Sequence, residues 1–496
     1  MRDRSSKIAF KLREIAPEAK LADEIALQVI NDVVPLETIH QVISASNVKE
    51  KRRRSLPTDV VMLLCIAMNF FAQDNLEEVL RKMTQGLRYV WPDDEIPTAT
   101  KGAISKARYK VGSEPMAELL KRVCQPIATA ETKGAFYKGL RLMAIDGTYE
   151  NVPDTKENNL YFGRPNAGDS AFPQLLAVYL LECGTHAVLD LEVEPCNGSE
   201  RAAGLRLLRS VGEGDLLTWD RGFHSFDMAY QARQTGADFL GRVPSNLHLR
   251  PLQELPDGSY LAYIYPSDYK RKKRGEHLLV RVIDYTLNDP QRPGHAERHR
   301  LITSLMDYEA FPALDLACAY HERWEIEITI DELDTHQRLA NQPFRSQKPE
   351  GVLQELYGLI IAHYAIRTLM HNAAVQADLD PDRISFINTL HVIRRAIPEF
   401  QKTTLSQHPR LYERMLREIA RHVLPERDNR SNPRVVKRKM SKFKRKRPIH
   451  RGCPKPSKTF REAVVVRQAK PNVLLYLPIL RTTMTTANTV AATATL

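Results

Sequence analysis

The sequence predicts an α/β protein: a mixed-sheet core carrying a β insertion, flanked by a helical N-terminal domain and a helical C-terminal part. Three observations predict it. Apolar residues recur at helical spacing through residues 1–125. From about residue 139 the period falls to two, and strand-like segments begin to alternate with helical ones. Helical spacing then resumes near residue 312.

In the N-terminal domain, residues 21–43, 59–71 and 75–83 show helical periodicity. Thr98 or Thr100 supplies the cap of a short helix carrying Lys101, Ser105, Lys106, Arg108, Tyr109 and Lys110, and another helix runs from Gly112-Ser113 through Val123. This pair reads equally as a DNA-reading unit or as a basic solvent face of a bundle.

The core spans residues 139–345. Segment 140–151 alternates into Ile145-Asp146-Gly147-Thr148, and 174–181 and 186–194 complete an antiparallel meander across a Gly-Thr turn. A helix over 199–211 precedes a short buried strand, 216–220, that ends in Asp220. Helix 225–234 and strand 239–243 follow, giving three strands, helix, strand, helix, strand. Residues 245–305 break that alternation with Tyr260, Tyr263, Tyr265, Tyr269 and Tyr285, a basic cluster from Lys270 to Arg274, and the turn Pro256-Asp257-Gly258, as in a small β insertion. A helix then runs from about 312 past Glu327 to 338. Region 346–428 is helical, with helices over 350–374 and 386–395, and 429–496 reads as a basic, disordered tail.

With 496 residues, 43% of them hydrophobic, the chain can bury large cores in two or three domains. The longest apolar stretch, 60–71, falls short of the roughly 20 residues a bilayer span needs, and the N-terminus has no apolar signal core. A cytoplasmic protein without a membrane partner is expected. Six cysteines without a C-x-x-C pair argue against a cysteine zinc site and a disulfide framework. The net charge of +12 resides in one segment, since Arg434 to Lys458 holds twelve Lys or Arg and no acid. That run admits three readings: a solvated tail, a nucleic-acid clamp that neutralises phosphate without reading sequence, or a membrane patch. The last is weakest, because no amphipathic or lipidation signal accompanies it.

Chemistry concentrates in three acids. Asp146 and Asp220 each end a strand-like segment, and Glu327 follows Tyr320 and Arg323 at a spacing that puts all three within roughly 60° on a helix. Singly, each has an ordinary explanation: a strand-end Asp is usually a turn residue, and Glu322, Glu325, Asp331 and Glu332 rival Glu327. Gathered, they suit hard divalent cations. A pair of such ions about 3.5–4 Å apart stabilises the attacking and leaving oxygens of a phosphoryl displacement, with a phenol and a guanidinium beside them for phosphate.

On these residues the chain resembles bacterial insertion-sequence transposases of the DDE class, the insertion-element-four family, whose third acid lies in a Tyr-x2-Arg-x3-Glu-x6-Lys motif. Tyr320, Arg323 and Glu327 match its first three positions, Ile145-Asp146-Gly147-Thr148 the first acid and Asp220-Arg221-Gly222-Phe223 the second. The resemblance covers roughly residues 20–400. It implies a ribonuclease H-like core, an N-terminal domain on the element's terminal inverted repeats, two Mg²⁺ or Mn²⁺ ions at Asp146, Asp220 and Glu327, and cut-and-paste strand cleavage and transfer. Tyr320 and Arg323 would hold the DNA phosphate, Lys101, Lys106 and Arg108 would contact DNA, and two protomers would act in a nucleoid-associated complex. The motif's Lys position holds Asp334 instead, and Arg338, one turn on, is the expected substitute. Some relatives stack an aromatic wedge on a flipped base. The insertion has no tryptophan, so a tyrosine would serve there, with Trp219 and Trp324 expected in the core.

Overall fold

The computed structural model describes residues 30–46, 48, 56–84, 99–165, 171–244, 246–292, 294–338, 342–425, 435–436, 444–445 and 456–467. Five helices open it: α1 (Leu36–Ala45), α2 (Thr58–Ala67), α3 (Leu76–Thr84), α4 (Lys101–Val111) and α5 (Glu114–Val123). The helix expected over 21–43 begins only after Pro35, which has no amide hydrogen to continue an earlier helix and restricts the residue before it. Residues 21–29 lie outside the described part. In α2 every residue but Asp59 is buried, the pattern of a helix apolar on all sides, so the longest apolar stretch is a central core helix. Thr100 caps α4, its hydroxyl oxygen accepting from the Ala103 amide at 3.3 Å.

The sheet begins with β1 (Phe136–Tyr137) and β2 (Leu140–Asn151). After α6 (Lys156–Phe162) come β3 (Gln174–Glu182) and β4 (Ala187–Pro195), then α7 (Glu200–Leu207), β5 (Asp215–Trp219), α8 (Phe226–Gln234) and β6 (Asp238–Arg242). The strand order β4-β3-β2-β5-β6 has antiparallel pairs among the first three and parallel pairs from β2 to β5 to β6, the ribonuclease H-like mixed sheet. Alternation splits its side chains between two cores. Met143, Ile145, Leu217, Trp219 and Phe239 enter one, and Leu142, Ala144, Leu216 and Leu240 the other.

The insertion holds β7 (Gln253–Glu254), β8 (Tyr260–Ile264), α9 (Tyr269–Lys273), β9 (Leu278–Leu287) and β10 (His299–Thr303). It is no separate unit: β10 pairs antiparallel with β6, so the insertion prolongs the core sheet. Next come α10 (Ala313–His321), a 3-10 turn over Glu322–Trp324, α11 (Glu325–Asp331) and a π-helical turn over Glu332–Gln337. The single helix expected over 312–338 is therefore overwound once and underwound once.

Helix α12 (Pro349–Gln376), about 42 Å long, is buried along most of its length. Around it stand α13 (Phe386–Lys402), α14 (His408–Ala420) and the N-terminal helices, all in one apolar core, so the two helical regions do not stand apart as the sequence reading divided them. The expectation of a disordered end is overturned for residues 456–467. Here α15 (Phe460–Ala463) and β11 (Val464–Val466) dock on the insertion, β11 pairing with β9. The Phe460 ring stacks on His321 at 3.8 Å, Arg461 pairs with Asp315 at 2.7 Å, and Asp289 accepts from the Ser457 and Lys458 amides. The rest of the expected tail lies outside the described residues, apart from 435–436 and 444–445. No helix among the described residues is long and apolar enough to cross a membrane.

Candidate active site

Parallel pairing of β2 with β5 sets Ile145 opposite Trp219, so Asp146 and Asp220, the residues that follow them, sit side by side about 4.8 Å apart. Asp220 comes just after the end of β5, whereas Asp146, expected to end a strand, lies midway along β2, which runs on to Asn151. Ile145 and Trp219 point into one core. Asp146 therefore turns to the opposite face, the one that α10 and α11 cover. Close approach underpins this end of the sheet: a Cβ at Gly241 would come within 2.1 Å of the Trp219 ring, so only glycine lets the ring lie flat over β6. Asp220 Oδ1 accepts the Gly222 amide at 2.7 Å in the turn that follows β5, and Asp146 Oδ1, within β2, accepts the Gly147 amide at 2.9 Å, contacts that fix both carboxylates.

The helical run delivers the rest. The Tyr320 hydroxyl donates to the Trp219 carbonyl at 3.3 Å, one residue before Asp220, and the Arg323 guanidinium lies 5.8 Å from the Tyr320 ring centroid. Arg323 Nη1 donates to Asp146 Oδ2 at 3.1 Å, and Nη2 is 3.6 Å from Glu327 Oε1. The buried Arg323 Nε has no hydrogen-bond partner. Burial pushes the Asp146 carboxyl above the usual range, Arg323 and the Gly147 amide oppose the shift, and Asp220 adds to it. Burial alone would lower the Arg323 pKa, yet Tyr320, Asp146, Glu327 and Asp220 together hold it above its ordinary value. One buried cation thus stands amid the three acids that the sequence singled out.

Other expected site residues fall elsewhere. Lys101 and Lys106 are exposed on α4. Arg108 is not on that surface: it is buried, donates to Ser346 Oγ and the Gly351 carbonyl, and lies 3.6 Å from Glu355, tying α4 to α12. The expectation that it touches DNA is corrected, because helix spacing cannot show that the covering element comes from 240 residues away in the sequence. Arg338 closes the π-helical turn and points inward, donating to Glu150 Oε2 at 2.5 Å and stacking over Phe344 at 4.0 Å. It occupies no open phosphate site in this arrangement. Asp334, at the motif's Lys position, sits between Glu150 and Arg338, and burial followed by Glu150 pushes its carboxyl up to about 9. The sequence reading passed over Glu150. Its signal was present, since residues 146, 148 and 150 share one face of β2. Trp219 is fully buried as expected, whereas Trp324 is 43% exposed, because the 3-10 turn rotates it outward.

The donor set fits a hard divalent cation: three carboxylates, one of them desolvated beside a second acid, with Arg323 as the cation that offsets it. Among the described residues, the one triad of donor atoms all within 4.8 Å of each other lies elsewhere. Ligands that span two ions about 3.5–4 Å apart need not be that close.

Two family models match the chain, insertion element 4 transposase N-terminal over residues 24–121 and transposase DDE domain over 137–365, together about two thirds of its length. Transposase InsG for insertion sequence element IS4 of Escherichia coli (strain K12) is 27% identical over 423 residues, 84% of this chain and 92% of that protein. Putative transposase InsZ of the same organism is 25% identical over 223 residues, 44% and 71% of the two chains. A solved piggyBac transposase synaptic complex with hairpin DNA aligns over 86% of this chain and 84% of that one, with 11% identity and a TM-score of 0.37. With an insertion element 4 N-terminal region followed by a DDE domain that implies divalent metal, the chain belongs to the insertion element 4 family of DDE transposases, enzymes that act on DNA.

Proposed function

We propose that this enzyme cleaves the ends of its insertion sequence and joins the freed 3′ ends to target DNA by a cut-and-paste route, with Asp146, Asp220 and Glu327 as the metal-binding acids. The observation that carries the reading is the parallel register that sets Asp146 beside Asp220 beneath the helix of Arg323 and Glu327. Two Mg²⁺ or Mn²⁺ ions bound there supply charge neutralisation for the attacking and leaving oxygens. The chain's own groups do the positioning. Arg323, with its buried Nε unfilled, is set to donate to a phosphate oxygen, and Tyr320 orients the guanidinium from beneath while anchored to the strand before Asp220. Arg323 pairs with Asp146 Oδ2, and its transfer to a DNA phosphate would leave that oxygen for a cation.

Lys101 and Lys106, exposed on α4, are assigned to the backbone of the terminal inverted repeats, and two protomers to the active complex. The motif is completed as Tyr320, Arg323 and Glu327, with Asp334 in place of lysine. A supercoiled-plasmid integration assay with precut ends, run with the unaltered protein and with Asp220→Ala, tests the reading. Joined product lost in the variant is the expected result. Nicking without joining would make it a hydrolytic nuclease, and binding without either would make it an end-binding regulator.

A further inference from the structure

Behind the helix that presents Glu327, donor atoms from three distant segments converge. His186 lies in the turn between β3 and β4, Glu325 opens α11, and Asp382 lies in the 3-10 turn Pro381–Arg383 that follows α12. Two residues apart on one helix, Glu325 and Glu327 point to opposite sides, so this group is separate from the catalytic acids. His186 Nε2 is 3.0 Å from Asp382 Oδ1 and 3.6 Å from Glu325 Oε2, and all three atoms lie within 4.8 Å of one another. A tetrahedral ion with bonds of about 2.0–2.1 Å to imidazole and carboxylate sets neighbouring ligand atoms roughly 3.3–3.4 Å apart, a value those two distances bracket.

A second, independent observation is the imidazole itself. His186 is 1% exposed, and its Nε2 lies against both carboxylates without making a well-aligned hydrogen bond to either, although Asp382 Oδ1 is only 3.0 Å away.

The other face of the ring sets a condition. A metal on Nε2 leaves the ring proton on Nδ1, which then needs an acceptor. Nδ1 now meets Arg367 Nη2, a donor, while Glu332 Oε1 is 4.0 Å from it. Arg367 already donates to both Glu332 oxygens, so it can leave the ring without losing its partner, and Nδ1 then donates to Glu332. The outcome is a carboxylate–histidine–metal chain, a common support for metal-bound imidazole.

We propose that His186, Glu325 and Asp382 bind one structural dication of the Zn²⁺ class, which staples the β3–β4 turn and the chain after α12 to the start of α11 and so fixes the helix that presents Glu327.

The test uses the full chain carrying Asp146→Asn, Asp220→Asn and Glu327→Gln, which removes the acids of the proposed catalytic site. The protein is equilibrated with Zn²⁺, passed over a chelating resin and assayed for metal by mass spectrometry. About one equivalent retained, falling to about a tenth or less when His186→Ala is added, is the expected result for a closed structural site. No retention by the folded triple variant, or retention unchanged by His186→Ala, overturns the proposal. Should His186→Ala fail to fold, Co²⁺ loaded into the triple variant decides instead. Intense visible absorption of tetrahedral Co²⁺, abolished by Zn²⁺, supports the site; the weak spectrum of six-coordinate Co²⁺ overturns it. Neither readout depends on cleavage or joining of DNA, so the proposed catalytic function stands or falls separately.

Discussion

The helical run from Ala313 to Gln337 meets strand β2 at two places, and they are built differently. At the first, Arg323 reaches Asp146 with Glu327 and Asp220 nearby, the Asp146 side chain 20% and that of Glu327 36% exposed. At the second, Arg338 reaches Glu150, with those two side chains 12% and 7% exposed and Asp334 alongside. The first place sets three acids against one guanidinium and stays open to solvent. The second sets two acids against one guanidinium and keeps a proton on Asp334, so it is close to neutral, with Arg338 and Glu150 buried and the Asp334 side chain 32% exposed at its edge. The difference teaches how one face of one strand serves two purposes. Unbalanced, reachable negative charge suits exchangeable cations, whereas a neutralised group built on a buried ion pair holds the helix to the sheet.

The largest effect that can break this comparison is at the open site. Asp220→Ala should lower end cleavage and joining by about a thousandfold or more, equivalent to ~4 kcal/mol or more of transition-state stabilisation, with the denaturation midpoint barely changed. A large loss of stability instead would mean that the open site is also structural.

The second site should behave in the reverse way. Arg338→Ala leaves Glu150 buried without its cation and should destabilise the fold by about 3–5 kcal/mol, read as a shifted denaturant midpoint. A variant of normal stability that cannot cleave ends would instead make Arg338 a DNA contact, as the motif reading expected.

A smaller effect sharpens the contrast through pH. The Asp334 carboxyl rises from 3.8 to about 9 on folding, so between roughly pH 4 and 9 the folded chain holds a proton that the unfolded chain has released, and stability falls as pH rises. Asp334→Asn should remove that slope, gaining about 1 kcal/mol or less at pH 8 relative to pH 5 after solvent screening. Equal pH slopes for the two proteins would show that the second site shares no proton.

The smallest expected effect concerns the docked end of the chain. Phe460→Ala removes the ring stacked on His321 and should cost about 1 kcal/mol, with faster proteolysis between residues 434 and 458. Unchanged proteolysis would mean that pairing of β11 with β9 holds this segment by itself.

Much of the site was legible without coordinates. Asp146, Asp220, Tyr320, Arg323 and Glu327 stand out because strand pattern and helix spacing are local properties, and the structure gathers the three acids and Tyr320 around the Arg323 guanidinium, with Asp146 midway along β2 and not at a strand end. Glu150 was equally readable from the two-residue period of β2. Arg108 was not: five residues of α4 cannot reveal that Ser346, Gly351 and Glu355 wait to bury it.

By itself the sequence determined where most strands and helices form, the change of period near residue 139, and that Asp220 follows the end of a strand, since these follow from side-chain pattern and turn chemistry within a few residues, whereas Asp146, read as a strand end, lies midway along β2. Only the tertiary structure decided that the insertion continues the core sheet through β10 and β6, that helices α1–α5 share one core with α13 and α14 around α12, that the run through Glu322–Trp324 tightens and leaves Trp324 exposed, and that residues 456–467 return to dock beside His321. Each of these depends on strand edges and apolar faces meeting across long stretches of chain, and such pairings are selected by the total burial and hydrogen bonding of the folded molecule, which no local window of residues contains.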